Sequence, residues 1–108
     1  MTKVRVIPVR LNGAEPLAAA ARFHAEFLPA IETELVTGAS LVVRFDHAED
    51  KPHGWRREAI AALARKYAPA RVNAVAPAEV DSAVGPVELA IAFLFANESV
   101  TGQLLLAG

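Results

Sequence analysis

Arg71-Val72-Asn73-Ala74-Val75-Ala76-Pro77 is the stretch on which the reading of this sequence turns. A short apolar run closed by a proline reads as a strand over residues 71–76. Working outward from it, residues 55–67 place Ile60, Leu63 and Tyr67 on one face among many alanines, which predicts a helix stopped by Pro69. On the other side, residues 77–86 hold two prolines and a glycine and read as a loop. Residues 87–96 are apolar nearly all round, the pattern of a well-buried helix. Residues 97–102 turn the chain, and residues 103–107 read as a last strand.

The same reading extends toward the N-terminus. Residues 4–11 are rich in β-branched side chains and predict a strand, with Pro8 pointing to a sheet edge or a strand end. Asn12-Gly13 is a turn signal. Pro16 suits a first helical turn. Leu17, Ala20, Ala21, His24, Phe27, Leu28, Ile31 and Leu35 then recur at helical spacing. Pro29 should kink or divide that helix, and Gly38 should end it. Residues 40–45, Ser-Leu-Val-Val-Arg-Phe, form a short run suited to a buried strand. Residues 46–54 are a polar loop. The order is β-α-β-α-β-α-β, so the fold class is α/β: about four parallel strands with helical crossovers, in two or three layers.

Composition sets the outer limits. The 108 residues make one domain, with a net charge of −1 and a pI of about 6.3. Neither value suits nucleic acid or an anionic membrane as a partner. There is no cysteine, hence no disulfide, thiol chemistry or cysteine-bound zinc. No secretory leader and no apolar stretch of about 18 residues is present, so a cytoplasmic location is expected. The hydrophobic share is 54% and the mean hydropathy +0.31, high for a domain with little interior. Some of that surface is therefore expected to be covered by another chain.

Three ordered segments carry a family resemblance. Residues 71–77 resemble the Arg-Val-Asn-Ala-Val-Ala-Pro-Gly segment of the short-chain dehydrogenases/reductases, their sixth strand and the loop after it. Val87-Glu88-Leu89-Ala90-Ile91-Ala92-Phe93-Leu94-Phe95-Ala96 is similar to that family's late helix. Val100-Thr101-Gly102-Gln103 matches the lead into its final strand. Leu28-Pro29 and Gly38-Ala39-Ser40-Leu41-Val42-Val43 fit its fourth helix and fifth strand more loosely. The resemblance covers nearly the whole chain but only the C-terminal half of the family fold. It implies a truncated, degenerate Rossmann-like domain over residues 1–108.

The departures from the family pattern bear on activity. Its catalytic tyrosine and lysine fall near Glu49 and His53 here, and its catalytic serine near Phe45 or Asp46. The only tyrosine, Tyr67, sits at the far end of the helix. The family's tyrosine is a general acid/base whose pKa is lowered by a nearby lysine, and neither glutamate nor histidine reproduces that geometry. The glycine after the loop proline is Ala78. The glycine-rich turn that lets backbone approach a dinucleotide pyrophosphate is not found. The expectation is a pseudoenzyme with no catalytic residues and no cofactor of its own, NAD(P) entering only if a second chain supplies the missing half.

The resemblance also implies a homodimer, or a partner chain covering a bare sheet face and edge. The family's dimer helices correspond to residues 17–35 and 55–67, which makes Phe27, Ile31, Trp55, Ala59 and Ala62 the expected interface residues. Trp55 beside Arg56 and Arg57 fits either an interface anchor or the edge of the core. Asp46, His47, Glu49, Asp50 and His53 crowd the loop after the second strand, where open α/β sheets place ligands. Asp46, His47 and His53 are the candidates for a divalent metal or small ligand there, against the plainer reading of a solvated loop. His24 and Glu26 read as ordinary surface, and Asn73 as a local structural hydrogen-bonder.

Overall fold

The computed structural model describes residues 4–47, 54–78 and 84–108. Strand β1 (Val4–Val9) leads to helix α1 (Pro16–Arg22), a π-helical turn (Phe23–Phe27) and helix α2 (Leu28–Val36). Strand β2 (Ser40–Phe45), helix α3 (Gly54–Lys66), strand β3 (Val72–Pro77), helix α4 (Val84–Ala96) and strand β4 (Leu104–Ala107) follow. The four strands are parallel and lie in the order β1-β2-β3-β4. This is the truncated Rossmann-like α/β arrangement expected, and helices on both faces make it three layers. None of its helices is long and apolar enough to cross a membrane among the described residues.

Alternation along the strands sorts the core into two. Val9, Leu41, Val43, Phe45, Val72, Ala74, Ala76 and Leu104 point to one face and pack with Ala19, Phe23, Ile31 and Leu35 of the first helical region and Ile60, Leu63 and Ala64 of α3. Val42, Val75 and Ala107 point to the other face and meet Val87, Ile91 and Leu94 of α4. The strands step across the sheet in one direction while α4 crosses on the face opposite α1–α3. The third crossover therefore winds with the opposite hand to the first two, a rare departure from uniform right-handedness.

The first helical region divides where Pro29 requires it. Proline at position 29 has no N–H to offer the carbonyl four residues back, and its ring crowds that carbonyl. The chain widens to a π turn just before it, and Leu28 N–H reaches Phe23 C=O. Glu15 caps α1, its carboxylate accepting Ala18 N–H at 2.9 Å and Leu17 N–H at 3.4 Å. Gly38, at φ +92°, ends α2 and donates to Leu35 C=O.

Three expectations need correction. The first strand stops at Val9 rather than residue 11, because the chain turns through Asn12 and Gly13 at φ +55° and +72°. The loop after β3 is shorter than residues 77–86, because α4 begins at Val84 and takes Pro86 into its first turn, where a missing N–H costs little. The well-buried helix is buried on one stripe only. Leu89 is 73% exposed and Phe93 49%, with Phe95 and Val84 also open. Among the described residues nothing covers the outer side of this helix, so its apolar residues there form an apolar surface.

The segments that carried the resemblance hold one another. Arg71 donates to the carbonyls of Leu94 and Asn97 at the end of α4, at 3.1 and 3.2 Å. Buried Asn73 donates to Val100 C=O at 2.9 Å and accepts Gln103 N–H at 3.1 Å. Thr101 Oγ1 accepts Val72 N–H, and Gly102 N–H donates to Val72 C=O at 2.7 Å. They join β3 to the α4–β4 turn, so Asn73 has the structural role expected of it.

Candidate functional site

In a parallel sheet every strand ends on the same edge, and the carboxyl ends of neighbouring strands frame a crevice. Here the crevice is a cavity of about 340 Å³ lined by Pro8, Arg10, Asn12, Arg44, Phe45, Asp46 and Pro77. Register places Pro8 opposite Arg44 and Val9 opposite Phe45.

Asp46 organises the wall. Its Oδ2 accepts the N–H groups of Leu11 and Asn12 at 2.8 and 2.9 Å, which pins the left-handed turn after β1. Its own N–H donates to Val9 C=O at 3.2 Å. Its Oδ1 is enclosed and has no hydrogen bond among the described residues, but faces Arg56 Nη2 at 3.5 Å. Arg56 Nη1 donates to Asp46 C=O at 2.8 Å, and its guanidinium lies 4.5 Å from the Phe45 ring centre. The Arg56 side chain is 3% exposed. Burial pulls its pKa down from the ordinary arginine value, and the Asp46 charge pushes it back up. The second arginine, Arg44, donates to Glu88 of α4 at 2.7 Å.

The expected site residues do not share one place. Asp46 lines the crevice, while His47 is half-buried beside it. His53, with Glu49 and Asp50, lies outside the described residues. Among the described residues no cluster of three or more metal-ligating side chains occurs. Of the expected interface residues, Ile31 is 0% exposed and spent in the chain's own core. Phe27, Trp55 and Ala59 are half-buried and Ala62 is exposed. The Trp55 ring packs 5.4 Å from Phe23 and 5.9 Å from Phe45, so it closes the edge of the core. His24 Nδ1 lies 2.7 Å from Ala20 C=O, and Glu26 pairs with Arg22 at 2.7 Å, both on exposed helix surface.

Tyr67 stands far from the crevice. Helix α3 starts at the crevice edge and runs back for 13 residues, roughly 20 Å at 1.5 Å per residue. There the Tyr67 hydroxyl donates to Glu32 Oε1 at 2.7 Å, and Lys66 Nζ donates to the same oxygen at 2.8 Å. Those two bonds lower the Glu32 pKa, chiefly through Lys66, and Glu32 raises the pKa of Lys66 and of Tyr67.

Reading the sequence missed Arg10, Asn12 and Arg44 as crevice residues and, in Trp55-Arg56-Arg57, did not single out Arg56 as the buried guanidinium. Two successive strands each carry an arginine at or just past the carboxyl end, and that is the signal that was there to be read.

A comparison with protein families matches residues 7–107 to the family described as short chain dehydrogenase-like protein. No curated protein and no solved structure matches the chain.

Proposed function

The chain belongs to the short chain dehydrogenase-like family, and from that premise we propose that it is a non-catalytic member that works by associating with a second copy of itself. The observation that carries the first part is Asp46. It stands where the family resemblance places the serine, and its carboxylate is committed to two backbone N–H groups and to Arg56. The only tyrosine is turned to Glu32 at the other end of α3. A hydride-transfer site needs an acid/base hydroxyl at the crevice, and the described residues place none there. Association is supported by the apolar outer side of α4, where Leu89, Ala92, Phe93 and Ala96 follow helical spacing without a charge.

Two measurements test this reading. Light scattering on the size-exclusion peak should give twice the chain mass. NAD(P)H fluorescence should stay unchanged on titration with the protein. A monomer at all concentrations would remove association, and cofactor-dependent turnover of any alcohol or ketone would remove the non-catalytic reading.

A second reading has another chain complete an NAD(P) site. It is favoured by the uncovered part of the sheet, where Val6 and Pro8 of β1 are exposed on the face that α4 shares. Co-expression with a chain carrying a glycine-rich dinucleotide turn should then produce a complex that binds NAD(P)H, which neither chain does alone.

A further inference from the structure

The crevice has a charge pattern that neither reading uses. Pro8 and Arg10 alternate with Val9 and Leu11, which are buried on the α1–α3 face, so they open on the side of α4, and Asn12 of the following turn joins them. Arg44 and Pro77 join them from β2 and β3. Among the described residues, the two carboxylates in reach are already matched. Asp46 is held by Arg56 and by two backbone N–H groups. Glu88 is held by Arg44 at 2.7 Å through Nη1, which fixes that guanidinium on the cavity wall. Arg10 makes no ion pair with either, so the described lining carries one unpaired positive charge. One wall is pre-formed, because Asn12 is held in the left-handed region by Asp46.

We propose that this crevice binds a small organic anion through a carboxylate or phosphate group read by Arg10 and Arg44. A cavity of about 340 Å³ falls within the range of small-ligand clefts, about 300–1,000 Å³. Guanidinium forks recognise planar or tetrahedral oxyanions with two parallel hydrogen bonds, and they hold their charge at any pH of interest. Pro8 and Pro77 supply apolar wall for the rest of the molecule.

Nitrogen–proton correlation NMR on the full chain tests the proposal with four probes: citrate, inorganic phosphate, NADPH and glycerol. Citrate or phosphate should shift the amides of residues 10–13 and 44–47 and reach saturation, while glycerol leaves them in place. Arg10→Gln should weaken that binding about tenfold or more with the rest of the spectrum unchanged. Arg10→Lys should restore part of it, since lysine keeps the charge but loses the fork. Three outcomes overturn the proposal. The first is the lack of a saturable shift with either anion. The second is anion binding to Arg10→Gln as tight as to the parent, which marks an adventitious ion only. The third is a shift of these amides with NADPH alone, which marks the crevice as a dinucleotide site.

Discussion

Asp46 ties three pieces of chain together: the end of β2, the turn after β1, and the buried Arg56 at the start of α3. Asp46→Ser would restore the side-chain type that the family resemblance places there. A serine is too short to hold both N–H groups, so stability should fall by about 1–3 kcal/mol in urea denaturation, with no gain of NAD(P)-dependent turnover. Removing Arg56 is costlier. Arg56→Ala loses the packing on Phe45 and leaves the Asp46 carbonyl and Oδ1 unpartnered, for a loss of about 3 kcal/mol by the same measurement. Arg56→Met keeps the stem and should recover part of it. At the other end of α3, Glu32 governs a pH response. Its lowered pKa means the ion pair stabilises at neutral pH and is lost as pH falls through the folded Glu32 value. The raised Lys66 and Tyr67 values mean the remainder is lost as pH rises through theirs. The midpoint difference between the parent and Glu32→Gln should be largest near neutral pH and shrink at both ends. A constant offset would show that these groups do not set it. Residue roles of this kind were the least legible in the sequence. Asn73 could be read because its partners lie on a strand and a turn already placed. Arg56 could not, because nothing in Trp55-Arg56-Arg57 says which guanidinium turns inward.

At the scale of elements the sequence was most informative where periodicity and punctuation agreed. Pro29 foretold a break, though only the structure shows it as a π turn that adds a residue rather than a kink. Strand β2 could be read almost to the residue, because six residues between Gly38-Ala39 and a polar loop leave little freedom. Helix α4 was legible as a helix but misleading as a buried one. Hydrophobicity all round a helix says that both sides want cover, and it cannot say whether the cover belongs to the same chain. This gives a clean test of the element. Leu89→Glu with Phe93→Glu changes only exposed positions, so the monomer's stability should move by no more than about 0.5 kcal/mol per site, while the light-scattering mass should fall to that of one chain. Ile91→Ala, on the buried stripe, should instead cost about 2–4 kcal/mol in denaturation.

For the whole molecule, the sheet carries two unequal coats. The face of α1–α3 is closed by a continuous core, and among the described residues the other is covered only where α4 lies. The parallel order and the class of fold followed from strands separated by helices. The side on which α4 crosses did not, because a crossover of unusual hand has no local pattern that announces it. Strand β1 stands at the margin of this sheet, as Pro8 indicated. Val9 C=O faces β2, where it accepts Asp46 N–H. Alternate residues present their backbone to opposite sides, so Val4, Val6 and Pro8 present theirs outward. The one residue without an N–H thus occupies an outward position, at the end of a row otherwise ready to template a new strand. A β-rich fibre growing from this margin would meet a gap in its ladder at its first added strand, so Pro8 is expected to hinder polymerisation. Pro8→Val should leave the fold unchanged and shorten the lag before thioflavin-positive aggregates form. On this view the same proline that ends lateral growth of the sheet directs any association of the native chain to side-chain surfaces rather than to the backbone.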